Sequence, residues 1–242
     1  MKLFSYKLED YYDNAMRDYP LPMRGGYAVI LAILYAFSQV MWRCPMQGAD
    51  DLKIGRKDRG AVYICNHTSM AEVVAIVTWF WRHGRRMRPI FKSEFNDSGI
   101  VRWFFARVGG IPVDRGTADM KSLRRASRAL QRGEDILIFP EGTRIRTDDQ
   151  PVEVHGGFAI IAQMAKAPVV PMAVCGFRDI TPNGKHLMRP VRCWMRASAE
   201  LSLADAPVDL RRRERTEWVE REAVRRMYAL RDELRAEHPG RR

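Results

Sequence analysis

The sequence predicts an α/β fold, a mostly parallel mixed sheet flanked by helices, with an N-terminal helical segment ahead of it. Three observations carry that expectation. From position 61 onward, short apolar runs alternate with helical patterns of about ten residues or more. The runs are continuous rather than alternating, as expected of strands covered on both faces. The first 60 residues break this rhythm with one long uncharged stretch. A chain of 242 residues, 46% hydrophobic and 29% charged, has enough apolar material for one domain-sized core with an appendage.

The uncharged stretch is "GGYAVILAILYAFSQVMW", residues 25–42, bounded by Arg24 and Arg43. It is near the minimum length for a membrane span and contains Ser38 and Gln39. A helix lying in one leaflet, or dipping into it, is therefore expected rather than a full crossing. Tyr27, Tyr35 and Trp42 suit a lipid–water interface. Residues 1–18 carry acids and no small-residue cleavage site follows the run, so a removed leader is not expected. Residues 1–60 thus read as a membrane-associating helical segment.

Residues 61–205 read as the α/β domain. Its expected strands are 61–65 (AVYIC), 88–91 (RPIF), 110–114 (GIPVD), 135–140 (DILIFP) and 168–176 (PVVPMAVCG), with a further strand, placed at an edge, at 191–197 (VRCWMRA). Helices are expected at 69–81, 99–108, 117–131 and 157–167. In the third helix, Met120, Leu123 and Leu130 are expected inward and Lys121, Arg124, Arg125 and Arg128 outward. Residues 206–242 read as a basic amphipathic helix. Val219, Ala223, Met227, Leu230 and Leu234 recur at helical spacing, and residues 211–242 hold eleven arginines against seven acids.

The net charge of +12 favours a polyanionic partner: nucleic acid, an anionic bilayer or a phosphorylated substrate. Aromatic residues do not interleave with basic ones on any face, so no nucleic-acid partner is expected. Attraction of the basic helices to anionic lipid amounts to about 1 kcal/mol per basic residue near the surface. Cys44, Cys65, Cys175 and Cys193 are too dispersed for a metal or redox motif, and the histidines lack zinc spacing. A reducing, cytosol-facing location without disulfides or a metal follows.

The chemistry gathers where expected strands end. "NHTSMAE" follows the first, and two readings stand side by side. "SMAE" is a capping box in which Ser69 caps and Glu72 reaches back. Alternatively, Glu72 orients His67 as a general base. "FPEGTR" (139–144) follows another strand; Gly142 permits a tight turn, Arg144 offers a planar fork for phosphate or carboxylate, and Glu141 braces it. Lys92 in "FKSEF" and Arg115 in "GGIPVDRG" end two more strands. In a parallel sheet such ends share one edge, so His67, Lys92, Arg115 and Arg144 are expected around one cleft.

In order and spacing, "NHTSMAE", "FKSEF" with "GGIPVDRG", "FPEGTR" and "VVPMAVCG" resemble the four blocks of the glycerolipid acyltransferases typified by 1-acylglycerol-3-phosphate acyltransferase. The likeness covers residues 61–176. It implies that His67 deprotonates the acceptor hydroxyl, which attacks an acyl thioester of coenzyme A or acyl carrier protein, with no cofactor. It implies further that Arg144, Lys92 and Arg115, with Glu141, Gly142 and Thr143 of the third block, hold a lysophospholipid, lysophosphatidic acid first, at the cytoplasmic face of a membrane. Backbone amides near Gly142 or Ser69 are expected to hold the oxyanion. Two departures stand out: glutamate where the family has aspartate (Glu72), and "VHGGF" (154–158) where a lysine is usual. They leave room for another lyso-acceptor, including a lyso-aminolipid, or for an inactive membrane scaffold.

Overall fold

The computed structural model describes residues 6–48, 59–93, 99–113, 119–181 and 187–240. In chain order the elements are α1 (Leu8–Asp13), α2 (Leu21–Met41), β1 (Met46–Gln47), β2 (Val62–Cys65), α3 (Met70–Arg82), β3 (Met87–Lys92) and α4 (Gly99–Arg107). There follow β4 (Ile111–Val113), α5 (Met120–Gln131), β5 (Asp135–Ile138), α6 (Gly157–Ala165), β6 (Val169–Cys175), β7 (Trp194–Ala197) and α7 (Arg212–Glu237).

The seven strands lie in the order β1-β7-β6-β2-β5-β3-β4. All neighbours are parallel except β6 and β7. The mixed, mostly parallel sheet is therefore as expected, with one correction: β7 is not an edge strand. The two-residue β1 runs along its outer side, Met46 opposite Met195. So short a strand leaves no apolar pattern to read.

Successive residues of β2 point to opposite faces. Tyr63 and Cys65 join a core with Ile76 and Phe80 of α3 and Leu31 of α2. Val62 and Ile64 join a second core with Ala126 and Leu130 of α5, Phe158 of α6, and Val219, Ala223 and Met227 of α7. Helices thus cover both faces, which explains the unbroken apolar runs.

The N-terminal segment docks on this body. Tyr11, Tyr12, Met16 and Tyr19 form a third buried cluster against Ala106 of α4. Arg125 of α5, expected outward, is 4% exposed. Its guanidinium pairs with Glu9 and Asp13 of the α1 helix and lies 5.2 Å from the Tyr12 ring centroid. Met120, expected inward, is exposed. The inward turn of Arg125 has a plain cause: α1 supplies acids to a flank that the helix taken alone would turn to solvent.

Helix α2 packs along α3 yet leaves Val29, Ile33, Phe37 and Val40 exposed. It is long and apolar enough to cross a membrane by length and composition. Trp42, expected at a lipid interface, is instead 2% exposed, edge-on to Phe177.

Candidate active site

Parallel pairing of β4, β3, β5 and β2 brings their C-terminal ends to one edge. There a cavity of about 690 Å³ opens, within the usual range for ligand sites. Of the predicted residues, His67, Lys92, Gly142, Thr143 and Arg144 line it together. Arg115 lies outside the described residues. The remaining wall is largely apolar, with Ile90, Phe91, Phe105, Leu123, Phe158 and Ile161.

His67 follows β2 directly. Asn66 anchors the strand end: its side-chain carbonyl accepts the Val174 N–H at 2.8 Å and its amide donates to the Val174 carbonyl at 3.2 Å. The His67 ring stacks on Phe139, centroids 4.2 Å apart. Its Nδ1 lies 2.5 Å from Glu72 Oε1, and the Glu72 side chain is fully buried. A donor at Nδ1 leaves Nε2 as the basic nitrogen of the neutral ring.

Glu72 both closes the helix start and meets the His67 ring. Ser69 caps α3, and Glu72 completes the capping box. Oε1 accepts from the Thr68 N–H at 2.8 Å as well as from His67; Oε2 accepts the Ser69 N–H at 3.1 Å and the Thr68 hydroxyl at 2.9 Å. The longer side chain lets one carboxylate close the helix start and reach the imidazole.

Glu141 does not brace Arg144. Its carboxylate turns inward, where Oε2 accepts the His67 backbone N–H at 2.7 Å and Oε1 accepts the Tyr228 hydroxyl at 3.2 Å. Burial pushes its carboxyl up, while the donors from His67 and Tyr228 pull it down. The Ile145 N–H in turn donates to the His67 carbonyl at 2.7 Å. The two loops are therefore laced through backbone groups. Gly142 sits at φ +61°, a conformation few other residues adopt. The loop is shaped further by Gln150, whose amide donates to the Arg144 carbonyl and whose Oε1 accepts the Arg146 N–H. Arg144 itself is exposed at the cavity mouth.

Among the backbone amides around the expected oxyanion positions, those of Gly142 and Ser69 themselves are engaged: Gly142 N–H donates to the Phe139 carbonyl and Ser69 N–H to Glu72. Cys65 is fully buried beneath the site, and burial raises its thiol well above the ordinary range, so it offers no thiolate nucleophile. Among the described residues no cluster of His, Cys, Asp or Glu is arranged to hold a metal ion. His155, whose neighbourhood lacks the family's usual lysine, lines the cavity, as does Asp119. Sequence reasoning missed the anchoring by Asn66, the partnership of Glu141 with Tyr228 and the stacking of Phe139. Only the placement of Phe139 directly after a strand hinted at any of them.

A family model described as Acyltransferase matches residues 47–175. The 1-acyl-sn-glycerol-3-phosphate acyltransferase of Bacillus subtilis is 30% identical over 135 residues, 54% of this chain and 62% of that one. A chloroplastic 1-acyl-sn-glycerol-3-phosphate acyltransferase of Arabidopsis thaliana is 26% identical over 169 residues, 68% of this chain and 46% of that one. The chain thus spans less than two thirds of these relatives' length. The solved 1-acyl-sn-glycerophosphate acyltransferase PlsC of Thermotoga maritima shares the fold, with a TM-score of 0.61 at 20% identity over 88% of this chain and 84% of that one. The model covers more than half of the sequence and ends with β6, so its span contains every site loop described above: the chain belongs to the acyltransferase family.

Proposed function

We propose that the protein transfers a fatty acyl chain from a thioester donor, acyl-CoA or acyl carrier protein, to the free hydroxyl of a lysophospholipid, with 1-acylglycerol-3-phosphate as first acceptor and phosphatidic acid as product. The observation that carries this reading is the His67–Glu72 pair at the wall of a largely apolar cavity that also holds Lys92 and Arg144. An alcohol is a poor nucleophile at neutral pH. Imidazole, with an ordinary pKa of about 6.5, is a suitable base for it. His67 Nε2 takes the hydroxyl proton, the alkoxide oxygen bonds to the thioester carbonyl carbon, and collapse of the tetrahedral adduct expels the thiolate. Glu72 holds Nδ1–H and balances the imidazolium. Thiolate, from a thiol of pKa about 8.5, departs without a strong acid. Apolar walls accept hydrocarbon, and the cations suit a phosphate monoester.

The exposed apolar side of α2 supports a membrane-associated enzyme lying on one leaflet, its substrates arriving from the lipid.

The test is a purified-enzyme assay across lysophosphatidic acid, other lysophospholipids and a lyso-aminolipid, with both donor types and product identification by mass. Acyl transfer to lysophosphatidic acid with the highest kcat/KM is expected. His67→Ala should lower turnover by about 10²–10⁴-fold or more; retention of a tenth of wild-type turnover by folded His67→Ala would overturn the base assignment.

A further inference from the structure

The family match ends at Cys175, yet the site draws on residues beyond it. Helix α7 meets the loops around the site at three places. Tyr228 donates its hydroxyl to Glu141 Oε1 at 3.2 Å. Arg235 pairs with Asp148 at 3.3 Å. Glu220 lies so close to Gly156 that a Cβ there would stand 2.2 Å from its carboxylate. Tyr228 matters most, because the other oxygen of its acceptor holds the His67 backbone N–H at 2.7 Å.

We propose that Tyr228 is a positioning residue for acyl transfer, acting through Glu141 to fix the backbone of His67 and so the imidazole's place at the cavity wall. The inference rests on the reading of His67 as the base. Glu72 fixes the ring through Nδ1, but the peptide that carries the ring is held by Glu141. An ionised carboxylate only accepts, so each buried oxygen needs a donor. Without Tyr228, Oε1 loses the hydroxyl that faces it, and the carboxylate rotates or takes up a proton. Either change loosens the His67 amide. The Tyr228 ring is itself pinned, with the Arg231 guanidinium 4.5 Å from its centroid. The other titratable groups facing Glu141 are Glu72 of α3, which raises its carboxyl, and the His67 ring, which lowers it. A misplacement of about 1 Å in a catalytic group costs on the order of 10²-fold in rate.

Tyr228→Phe removes one oxygen and keeps the stacked ring. It should lower kcat roughly 3–30-fold while KM for the acceptor stays within about twofold. Glu141→Gln should lose at least as much. In the Glu141→Gln background, Tyr228→Phe should add less than about a twofold further loss, because its effect passes through the carboxylate. Unchanged kcat in Tyr228→Phe, or equal proportional losses in both backgrounds, would overturn the inference. A substrate-free arm stands beside it: hydrogen exchange at the His67 amide should speed up roughly tenfold in Tyr228→Phe, with Ile64 in β2 unchanged. Unaltered His67 protection overturns the inference as well. Parallel assays of His67→Ala report on the base assignment alone, so a failure of that reading is recognisable separately.

Discussion

Both oxygens of Glu72 are occupied: His67 and the Thr68 N–H share one, the Thr68 hydroxyl and the Ser69 N–H the other. Glu72→Ala would orphan all these donors at a buried position, at about 1–3 kcal/mol for each that stays unsatisfied, on top of a weakened helix cap. The expected result is a melting temperature lower by about 5 °C or more together with a rate loss of about 10²-fold, measured by calorimetry and turnover on the same sample. A variant with full rate and lower Tm would assign Glu72 to capping alone. Arg144 tests head-group recognition. Arg144→Lys keeps charge but loses the fork, so KM for lysophosphatidic acid should rise several-fold, and Arg144→Ala should lose more. The loss should shrink on monoacylglycerol, which has no phosphate; an equal proportional loss on both acceptors would make Arg144 structural. His67, Lys92 and Arg144 were legible in the sequence because each follows an apolar run that becomes a strand. The partner of Glu141 was not, since a backbone N–H bears no residue signature and Tyr228 lies far along the chain.

At the scale of elements, α7 binds the sheet through Val219, Ala223 and Met227, while its polar side is laced by ion pairs. Glu222 pairs with Arg225 at 2.7 Å and Arg226 at 2.8 Å. The hydrogen bonds from Arg225 first, then Arg226, lower its carboxyl to about 2. A lowered carboxyl stabilises the fold above its ordinary pKa, and that contribution fades as pH falls toward about 2. The Tm gap between wild type and Glu222→Gln should therefore be present at pH 6 to 7 and close as pH falls below about 4.5. It should be small, given the exposure of these groups, and narrow further in high salt. A gap independent of pH from 7 to 2 would show that the pairs do not support the helix. Strands and helices of the α/β part were legible because burial on both faces writes unbroken apolar runs. The inward turn of Arg125 was not, because the acids that receive it lie on α1, more than a hundred residues earlier.

Across the whole molecule, one buried cation ties the N-terminal segment to the central sheet. Arg88 of β3 is fully buried; it donates to the Gly109 carbonyl at 2.7 Å and the Tyr11 carbonyl at 2.5 Å, and lies 3.4 Å from Glu134. Glu134 in turn accepts the Met16 N–H at 2.6 Å. Removing residues 1–43 would strip partners from this buried pair, and breaking such arrangements costs about 3–5 kcal/mol. The truncated chain should show a clearly lower Tm or fail to accumulate as folded protein. An unchanged Tm would mean the segment is detachable. The same tie sets an order of events during synthesis. Residues 11–19 are synthesised well before Glu134, an interval of roughly 6–25 s at common elongation rates. For the first part of that time the apolar side of α2 has neither α3 nor the completed sheet beside it, so the N-terminal segment waits on the sheet, and the two lock together only once Glu134 has been made.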